Sequence, residues 1–312
     1  MAVLRDRDVL TPDTLALVQL VADTGSFAAA ARKLGLVPSA LTYRIRQVED
    51  ALDVLLFDRS ARQARPTEAG EELLREGARL LQEVDAVANR VRRVATGWAP
   101  VLRIAVDGVI SRTTLLELVE AFYAIAPPTR LKIIDSILAG TLESLTSGRA
   151  DLAIGVAVDA SNVSGLQQLD LGEITFRYVV APHHPLADEI QPISDDVLRQ
   201  HRIIAVADSS RSGHGQTMGV LSGQDVLTVD TMQAKLQAQL RGIGGGSLPD
   251  NMTMPYLRSG QLVERELMRP ARKIKLRYAW CSTAPGKALQ WWLDQLLSPT
   301  TRDSLLNNHY VG

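Results

Sequence analysis

A second cysteine is missing from this chain of 312 residues, so Cys281 has no partner for an intramolecular disulfide. That fits a reducing cytoplasm better than a secreted setting. No apolar run approaches the roughly 18 residues that a membrane-crossing helix needs, and the opening MAVLRDRDVL mixes Arg and Asp without the apolar core of a signal peptide. A soluble, unexported, cytoplasmic protein with no membrane partner is expected. Net charge is nearly absent as well: 34 Lys and Arg face 35 Asp and Glu, so nothing draws the chain as a whole toward nucleic acid.

Motifs for chemistry are equally sparse. Gly242-Ile243-Gly244-Gly245-Gly246-Ser247 lacks the third glycine of a G-x-G-x-x-G loop and runs into Leu248-Pro249-Asp250 rather than a helix start. His183 and His184 have no further ligand at metal spacing and read as a solvated turn. Ser209 to His214 lacks the strand-to-helix elbow of a serine hydrolase and reads as a flexible polar loop. Cys281 ends an apolar stretch, where a buried, inert thiol is expected. Hence no catalytic residue, no metal ligand and no cofactor are expected.

What the chain does have begins with length, enough for two or three domains that each bury a core. Thr11-Pro12-Asp13 offers a hydroxyl cap and a proline at the first helical position, followed by Leu15, Val18 and Ala22 at helical spacing. Thr24-Gly25-Ser26 supplies a break and a new cap, and Phe27, Ala30, Ala31 and Leu34 form the stripe of a second short helix. After Gly35, Pro38-Ser39 starts a third, with Leu41, Ile45, Val48 and Leu52 on its apolar side. Its other side carries Ser39, Thr42, Tyr43 and Arg46. On an isolated helix that would be an ordinary solvated face. Behind a short helix and a turn it has the layout of a helix-turn-helix, whose second helix enters the major groove, where hydroxyls and Arg can bond base edges. Basic residues collect here despite the neutral total: Arg32, Lys33, Arg44 and Arg46, then Arg59, Arg62 and Arg65 alternating along what reads as a β-ribbon wing against phosphates.

The run from Gly25 to Gly70, GSFAAAARKLGLVPSALTYRIRQVEDALDVLLFDRSARQARPTEAG, resembles the DNA-binding segment of LysR-type transcriptional regulators. The Gly-Ser-Phe start, the alanine pair, Leu56-Phe57-Asp58-Arg59 and Thr67-Glu68-Ala69-Gly70 carry the likeness. In that family the third helix reads DNA, which implies base-facing roles for Ser39, Thr42, Tyr43 and Arg46, phosphate contacts for Arg32 and Arg59, and a contact set completed by Ser26, Pro38, Arg62 and Arg65. Three positions depart from the family pattern: Val37 stands where Ser or Thr usually caps the helix, Thr42 where Ser is usual, and Asp53 where Gly is usual. The missing cap should cost about 1 kcal/mol, partly offset by Pro38.

From Thr67 to Ala95 there is no proline, and Leu74, Gly77, Leu81, Val84, Ala88, Val91 and Ala95 recur every three or four residues. One helix cannot bury such a heptad-like seam alone, so a partner helix or the first domain must cover it. The family resemblance implies pairing of two subunits as a homodimer or homotetramer. Beyond Pro100, short apolar strands alternate with helices: Val101 to Val106, Thr114 to Ala126, Arg130 to Asp135, Thr141 to Ser147 and Asp151 to Val156. A second set runs through Phe176 to Ala181, Arg202 to Val206, Val226 to Val229 and Met232 to Leu240, and the chain closes with Lys275 to Cys281 and Leu289 to Leu297. Such alternation implies parallel sheet and a two-lobed, periplasmic-binding-protein-like α/β fold. LTSGRADLAIG, the stretch from Val179 to Ala187 and LRGIGGGSLPDNMTMPYLRSGQLVE resemble landmarks of the LysR-type effector domain.

The expected organisation is a winged helix-turn-helix over 1–66, a linker helix over 67–97 and a two-lobed effector-binding domain over 98–312. Ligands in such sheets sit just past the strand ends, which selects Gly108, Val109, Ile110, Ser111, Ser136, Ile137 and Leu138 from the near lobe and Ala207, Asp208 and Thr231 from the far one. This apolar set with a few hydroxyls suits an aromatic or otherwise hydrophobic small molecule. Arg112 would serve either a ligand carboxylate or a surface salt bridge. The expected partners are double-stranded promoter DNA, a small-molecule effector and further copies of the chain, with RNA polymerase as an additional candidate. The competing reading is a cytoplasmic solute-binding or enzymatic α/β protein whose first hundred residues form a helical interaction module.

Overall fold

The apolar stripes of the first hundred residues fold into a helical head. The computed structural model describes residues 6–58, 63–125, 128–158, 160, 163–210, 218–281 and 284–308, the side chains of 6, 7, 89, 90, 92 and 93 aside. It divides into two compact units with the break between Val91 and Arg92. The first holds helices α1 (Asp6–Val9), α2 (Pro12–Thr24), α3 (Phe27–Lys33) and α4 (Pro38–Leu52), then an antiparallel ribbon of β1 (Phe57–Asp58) and β2 (Arg65–Pro66). Helix α5 (Glu68–Thr96) starts in this unit and runs across the break.

Local chemistry sets the helix ends. Thr11 and Thr14 form a capping box on α2, and the Ser26 hydroxyl accepts the Ala29 N–H of α3 at 3.4 Å. Val37 precedes α4 with no side-chain cap, and Asp53 ends that helix in the left-handed region at φ 52°, where glycine is least strained. Leu41, Ile45 and Val48 bury against Leu17, Val18, Val21 and the fully buried Ala30 and Ala31, whose small side chains let the helices close up. The buried Glu49 accepts the Leu56 N–H at 2.9 Å and so ties the end of α4 to the start of the ribbon. Thr67 caps α5 by accepting the Gly70 N–H at 3.1 Å. A Cβ at Gly70 would collide with the Leu56 carbonyl, which explains why the Thr-x-Ala-Gly close needs its glycine.

The seam on α5 is two faces rather than one. Leu73 and Leu74 pack against the head's own core and Gly77 lies against Leu15. Further along, Leu80, Val84, Val87, Val91 and Val94 are exposed, at steps of four and three. The stripe read from the sequence joined the covered face to part of the exposed one, because helical spacing by itself cannot say where the head stops covering the helix.

The second unit contains β3 (Val101–Asp107), α6 (Arg112–Ala124), β4 (Arg130–Ser136), α7 (Ala139–Thr146), β5 (Leu152–Val156), β6 (Gln167–Val180), a 3-10 turn (Pro185–Ala187), α8 (Asp195–Arg199), β7 (Ile203–Val206), β8 (Val226–Val229), α9 (Met232–Leu240), β9 (Gly246–Pro249), α10 (Asp250–Arg258), β10 (Val263–Glu264), β11 (Arg272–Trp280), α11 (Lys287–Leu297) and α12 (Pro299–Asn307). Strands β4, β3 and β5 are parallel neighbours, as the alternation predicts, and form one lobe with α6 and α7. The second lobe departs from that expectation. Strand β6 is antiparallel to β9, β10 and β11, and among the described residues the further parallel pairing is that of β7 with β8, with single parallel bridges from Ile203 to Gly245 and from Ile193 to Leu267. At roughly 3.3 Å per residue, the 14 residues of β6 are long enough to serve both lobes. Strand β11 returns beside it, and its register slips around Leu276 to Tyr278, the local bend that lets one sheet turn from one lobe into the next. The largest apolar core runs through both lobes, from Leu102 and Ile104 to Leu236 and Leu248, with Trp292 and Phe122 closing its outer side.

Replacing the uncapped Val37 by Ser is expected to add about 1 kcal/mol to the first unit. The expected readout is a rise of about 4–8 °C in its thermal unfolding midpoint.

Candidate nucleic-acid interface and sensor cavity

Burial of Leu41, Ile45 and Val48 forces the other side of α4 outward. Pro38, Ser39, Tyr43 and Arg46 are exposed and Thr42 is half-buried, its hydroxyl donating to the Pro38 carbonyl at 2.9 Å. Tyr43 is 64% exposed, far more than a tyrosine serving a core would be. Arg32 on α3 and Arg65 on the ribbon are also exposed. Ser26 is half-buried and engaged as the α3 cap. Arg59 and Arg62 lie outside the described residues. In the head, the ribbon is held to the turn after α2 by the Ala64 N–H, which donates to the Gly25 carbonyl at 2.9 Å, and by Phe27 and Phe57, whose rings meet edge to face at 5.5 Å.

A cavity of about 960 Å³ opens in the second unit, lined on one side by Asp107, Val109, Ile137 and Leu138 and on the other by Phe176, Val206, Met232 and Lys235. Of the ten residues read from the sequence as effector contacts, Val109, Ile137 and Leu138 line it. Gly108 lies just behind, where a Cβ would stand 3.1 Å from Met232 Cγ, so its missing side chain admits the far lobe. Ile110 and Ser136 are buried, Ser111 caps α6, and Thr231 caps α9. Ala207 and Asp208 belong to a loop that docks on the near lobe. The Asp208 carboxylate accepts the Gly140 N–H at 3.1 Å at the start of α7, Ser209 Oγ accepts the Ile137 N–H at 2.8 Å, and the Ser210 hydroxyl donates to Glu143. Ser209 and Ser210 therefore form a latch between lobes rather than the flexible polar loop expected, while residues 211 to 214 of that stretch lie outside the described residues.

Asp107 is the side chain that organises this site. Its Oδ1 accepts the Val109 N–H at 3.1 Å, and its Oδ2 accepts the Leu138 N–H and the Thr141 hydroxyl, both at 3.0 Å. Burial pushes its carboxyl up to about 6; these donors and the nearby Arg112 hold it from rising further. The hydrogen bond to Leu138 supports a residue at φ 54°, ψ −123°, a conformation costing an L side chain roughly 1–3 kcal/mol. Arg112 pairs with Asp135 at 2.5 Å, the salt bridge of the two roles considered for it.

Three other expectations are corrected or sharpened. Cys281 is exposed, one residue beyond β11, because the strand and its apolar neighbours end at Trp280. His183 and His184 do form a turn, but His184 is buried; its Nδ1 accepts the Leu186 N–H at 3.2 Å, and burial, then His201 and His183, lower its pKa. Among the described residues no group of three His, Cys, Asp or Glu is placed to hold a metal ion.

Comparison with known proteins decides what these parts belong to. A family model described as a bacterial regulatory helix-turn-helix protein of the lysR family matches residues 12–71, and one described as the LysR substrate binding domain matches residues 95–299. The chain belongs to the LysR family of transcriptional regulators. It is 34% identical to the uncharacterized HTH-type transcriptional regulator YeeY of Escherichia coli K12, over 92% of this chain and 93% of that protein. It is 35% identical to the probable HTH-type transcriptional regulator YhaJ of the same strain, over 92% and 96%. Among solved structures, full-length LysG from Corynebacterium glutamicum with bound effector Arg matches at TM-score 0.53 and 21% identity, covering 95% of this chain and 99% of that one. Full-length CbnR in complex with its target DNA matches at 0.57 and 17%, covering 91% and 98%.

A LysR-type regulator has two jobs, reading DNA and sensing a small molecule, and the enzymatic reading is set aside. The sequence reading missed Asp107, Phe176, Met232 and Lys235. Asp107 was legible as an acid closing an apolar strand. Lys235 was legible as a lysine one position before Leu236 and three after Met232, on the helix side those residues bury.

The Asp107 carboxyl is more easily kept neutral in the fold than in the unfolded chain. Its contribution to stability is therefore full below pH 3.8 and falls as pH rises through about 6, by about 3 kcal/mol in all. Denaturant titrations of Asp107→Asn between pH 4 and 7 should show that part of the pH dependence removed.

Proposed function

We propose that this regulator acts as a homo-oligomer in which α4 of each head enters the DNA major groove, with Ser39, Thr42, Tyr43 and Arg46 against base edges and Arg32, Arg65, Arg59 and Arg62 against phosphates. Ser26 and Pro38 sit at the helix starts nearest that face. The observation that carries this reading is the split character of α4, apolar and buried on one side, polar and exposed on the other. The heads are paired through the exposed stripe of α5, Leu80, Val84, Val87, Val91 and Val94, an apolar seam of a kind that a second helix covers in coiled coils. Two linked heads gain effective concentration on neighbouring half-sites without new contacts. On this reading the chain works in three parts, a reader over 1–66, a linker over 67–97 and a sensor over 98–312, beside the DNA in the cytoplasm, with RNA polymerase as the partner at the promoter.

The effector occupies the cavity headed by Val109, Ile137 and Leu138 and changes how the lobes meet at the Asp208 to Ser210 latch. Such a ligand must prefer one lobe arrangement, since equal affinity for both would shift nothing. The neighbouring positions Gly108, Ile110, Ser111, Ser136, Ala207 and Thr231 support the walls of this site from behind.

Fluorescence anisotropy with promoter DNA tests the reader. Binding should weaken steeply between about 50 and 200 mM salt, and Arg46→Ala should cost about 1–3 kcal/mol of specific affinity. Specific binding left intact in Arg46→Ala would overturn the assignment of α4. Sedimentation tests the linker: Val84→Glu combined with Val91→Glu should lower the mass toward a monomer and reduce promoter affinity, whereas an unchanged oligomer would move the interface elsewhere.

A further inference from the structure

The cavity contains a buried lysine that has no ion pair among the described residues. Lys235 on α9 lines the cavity and is only 6% exposed. Among the described residues its ammonium has no hydrogen-bond or charge partner, and burial alone shifts its pKa. Of the other cations lining the cavity, Arg177 pairs with Asp250 and Glu264, Arg269 with Asp195 and Lys273 with Glu173, Arg265 donates to the Glu189 carbonyl, and Arg272 is exposed to solvent rather than buried. One turn along α9, Gln239 is fully buried, and neither its amide oxygen nor its nitrogen has a partner. Both side chains converge on Gly246, whose missing Cβ would stand 3.2 Å from Lys235 Cε and 2.7 Å from Gln239 Nε2.

An unpaired ammonium in an apolar interior is costly, and folds retain one where something else supplies the opposite charge. Burial lowers the Lys235 pKa to about 8, so at pH 7 the group is still largely protonated. Apolar side chains of the lining include Met232 on the same helix and Val206, Val109 and Phe176, beside charged ones such as Asp107, Glu264 and Glu266. We propose that the cavity takes a small monocarboxylic acid with an apolar body, its carboxylate paired with the Lys235 ammonium. One ammonium matches one negative charge, as a monocarboxylate carries. The assignment rests on reading this cavity as the effector site, and it names the chemistry of that effector. It also gives the effector a route to the lobe junction, because Met232, on the turn of α9 that carries Lys235, packs on Gly108 of the near lobe.

Thermal-shift titration of the full-length protein tests this with defined probes: butyrate, phenylacetate and benzoate, the matching neutral amides, and inorganic phosphate, each followed by promoter footprinting. At least one acid should raise the unfolding midpoint and alter the footprint while its amide and phosphate do not. Lys235→Met should fold with an unliganded midpoint no lower than that of the parent chain and bind the acid at least tenfold more weakly, and Lys235→Arg should retain part of the response. Equal binding of the acid by Lys235→Met, or a stronger response to phosphate than to every acid, would overturn the proposal. If the amides bind as well as the acids and alter the footprint, the cavity remains an effector site and the carboxylate assignment falls. If no probe of either charge changes the midpoint or the footprint, both readings fall.

Discussion

At the head of the cavity in the second unit a carboxylate shut away from water gathers donors from two separate loops. Asp107 ends β3, and through Val109, Leu138 and Thr141 it holds the loop after its own strand and the loop after β4 in one arrangement. A buried acid of this kind is expensive unless its acceptors are filled, so the two loops are not free to move independently. Leu138 is kept in a left-handed conformation by the same contact, which puts its side chain on the cavity wall. The far lobe then meets a surface already set: the Asp208 to Ser210 loop caps the start of α7, and Asn251 of α10 donates to the Val109 carbonyl at 2.8 Å. Gly140 leaves no room for a side chain at that junction, where a Cβ would run into Ser209. Closure on this side combines these small residues and hydrogen bonds with the apolar core that Val109 and Ile137 share with Val206 and Met232. Such a junction can reopen when a ligand makes better bonds elsewhere.

The head works by a simpler rule. Three helices share one small core, and alanines at its centre set the distance between α2, α3 and α4. Once Leu41, Ile45 and Val48 are inside, the remaining side of α4 has nowhere to go but outward. Glu49 and Gly70 then fasten the ribbon and α5 around Leu56, one by accepting its N–H and the other by making space for its carbonyl. Several landmarks that mark this segment in sequence are thus residues that fix backbone positions, while the side chains on the exposed face of α4 take no part in the core.

Much of this was written in local pattern. Helix caps at Thr11 and Ser26, the periodic stripe of α4, the break at Gly25 and the alternation of strands and helices from Val101 to Val156 all involve residues within a turn or two of each other, where spacing and side-chain chemistry are enough. Membership of the LysR family was legible for the same reason, since its motifs are contiguous. Tertiary structure alone decided the rest. Spacing could not divide the seam of α5 between the face covered by Leu15 and the face left open at Val84 and Val91. Nor could it show that β6 and β11 run antiparallel through both lobes, because strand direction is set by partners distant in the chain. The cavity suffered most: strand ends pointed to Val109, Ile137 and Leu138, which line it, but Lys235 entered it only when α9 packed across it. That Lys235 is buried without an ion pair among the described residues follows from how α9 packs, and that accounting exists in three dimensions and nowhere in the order of residues.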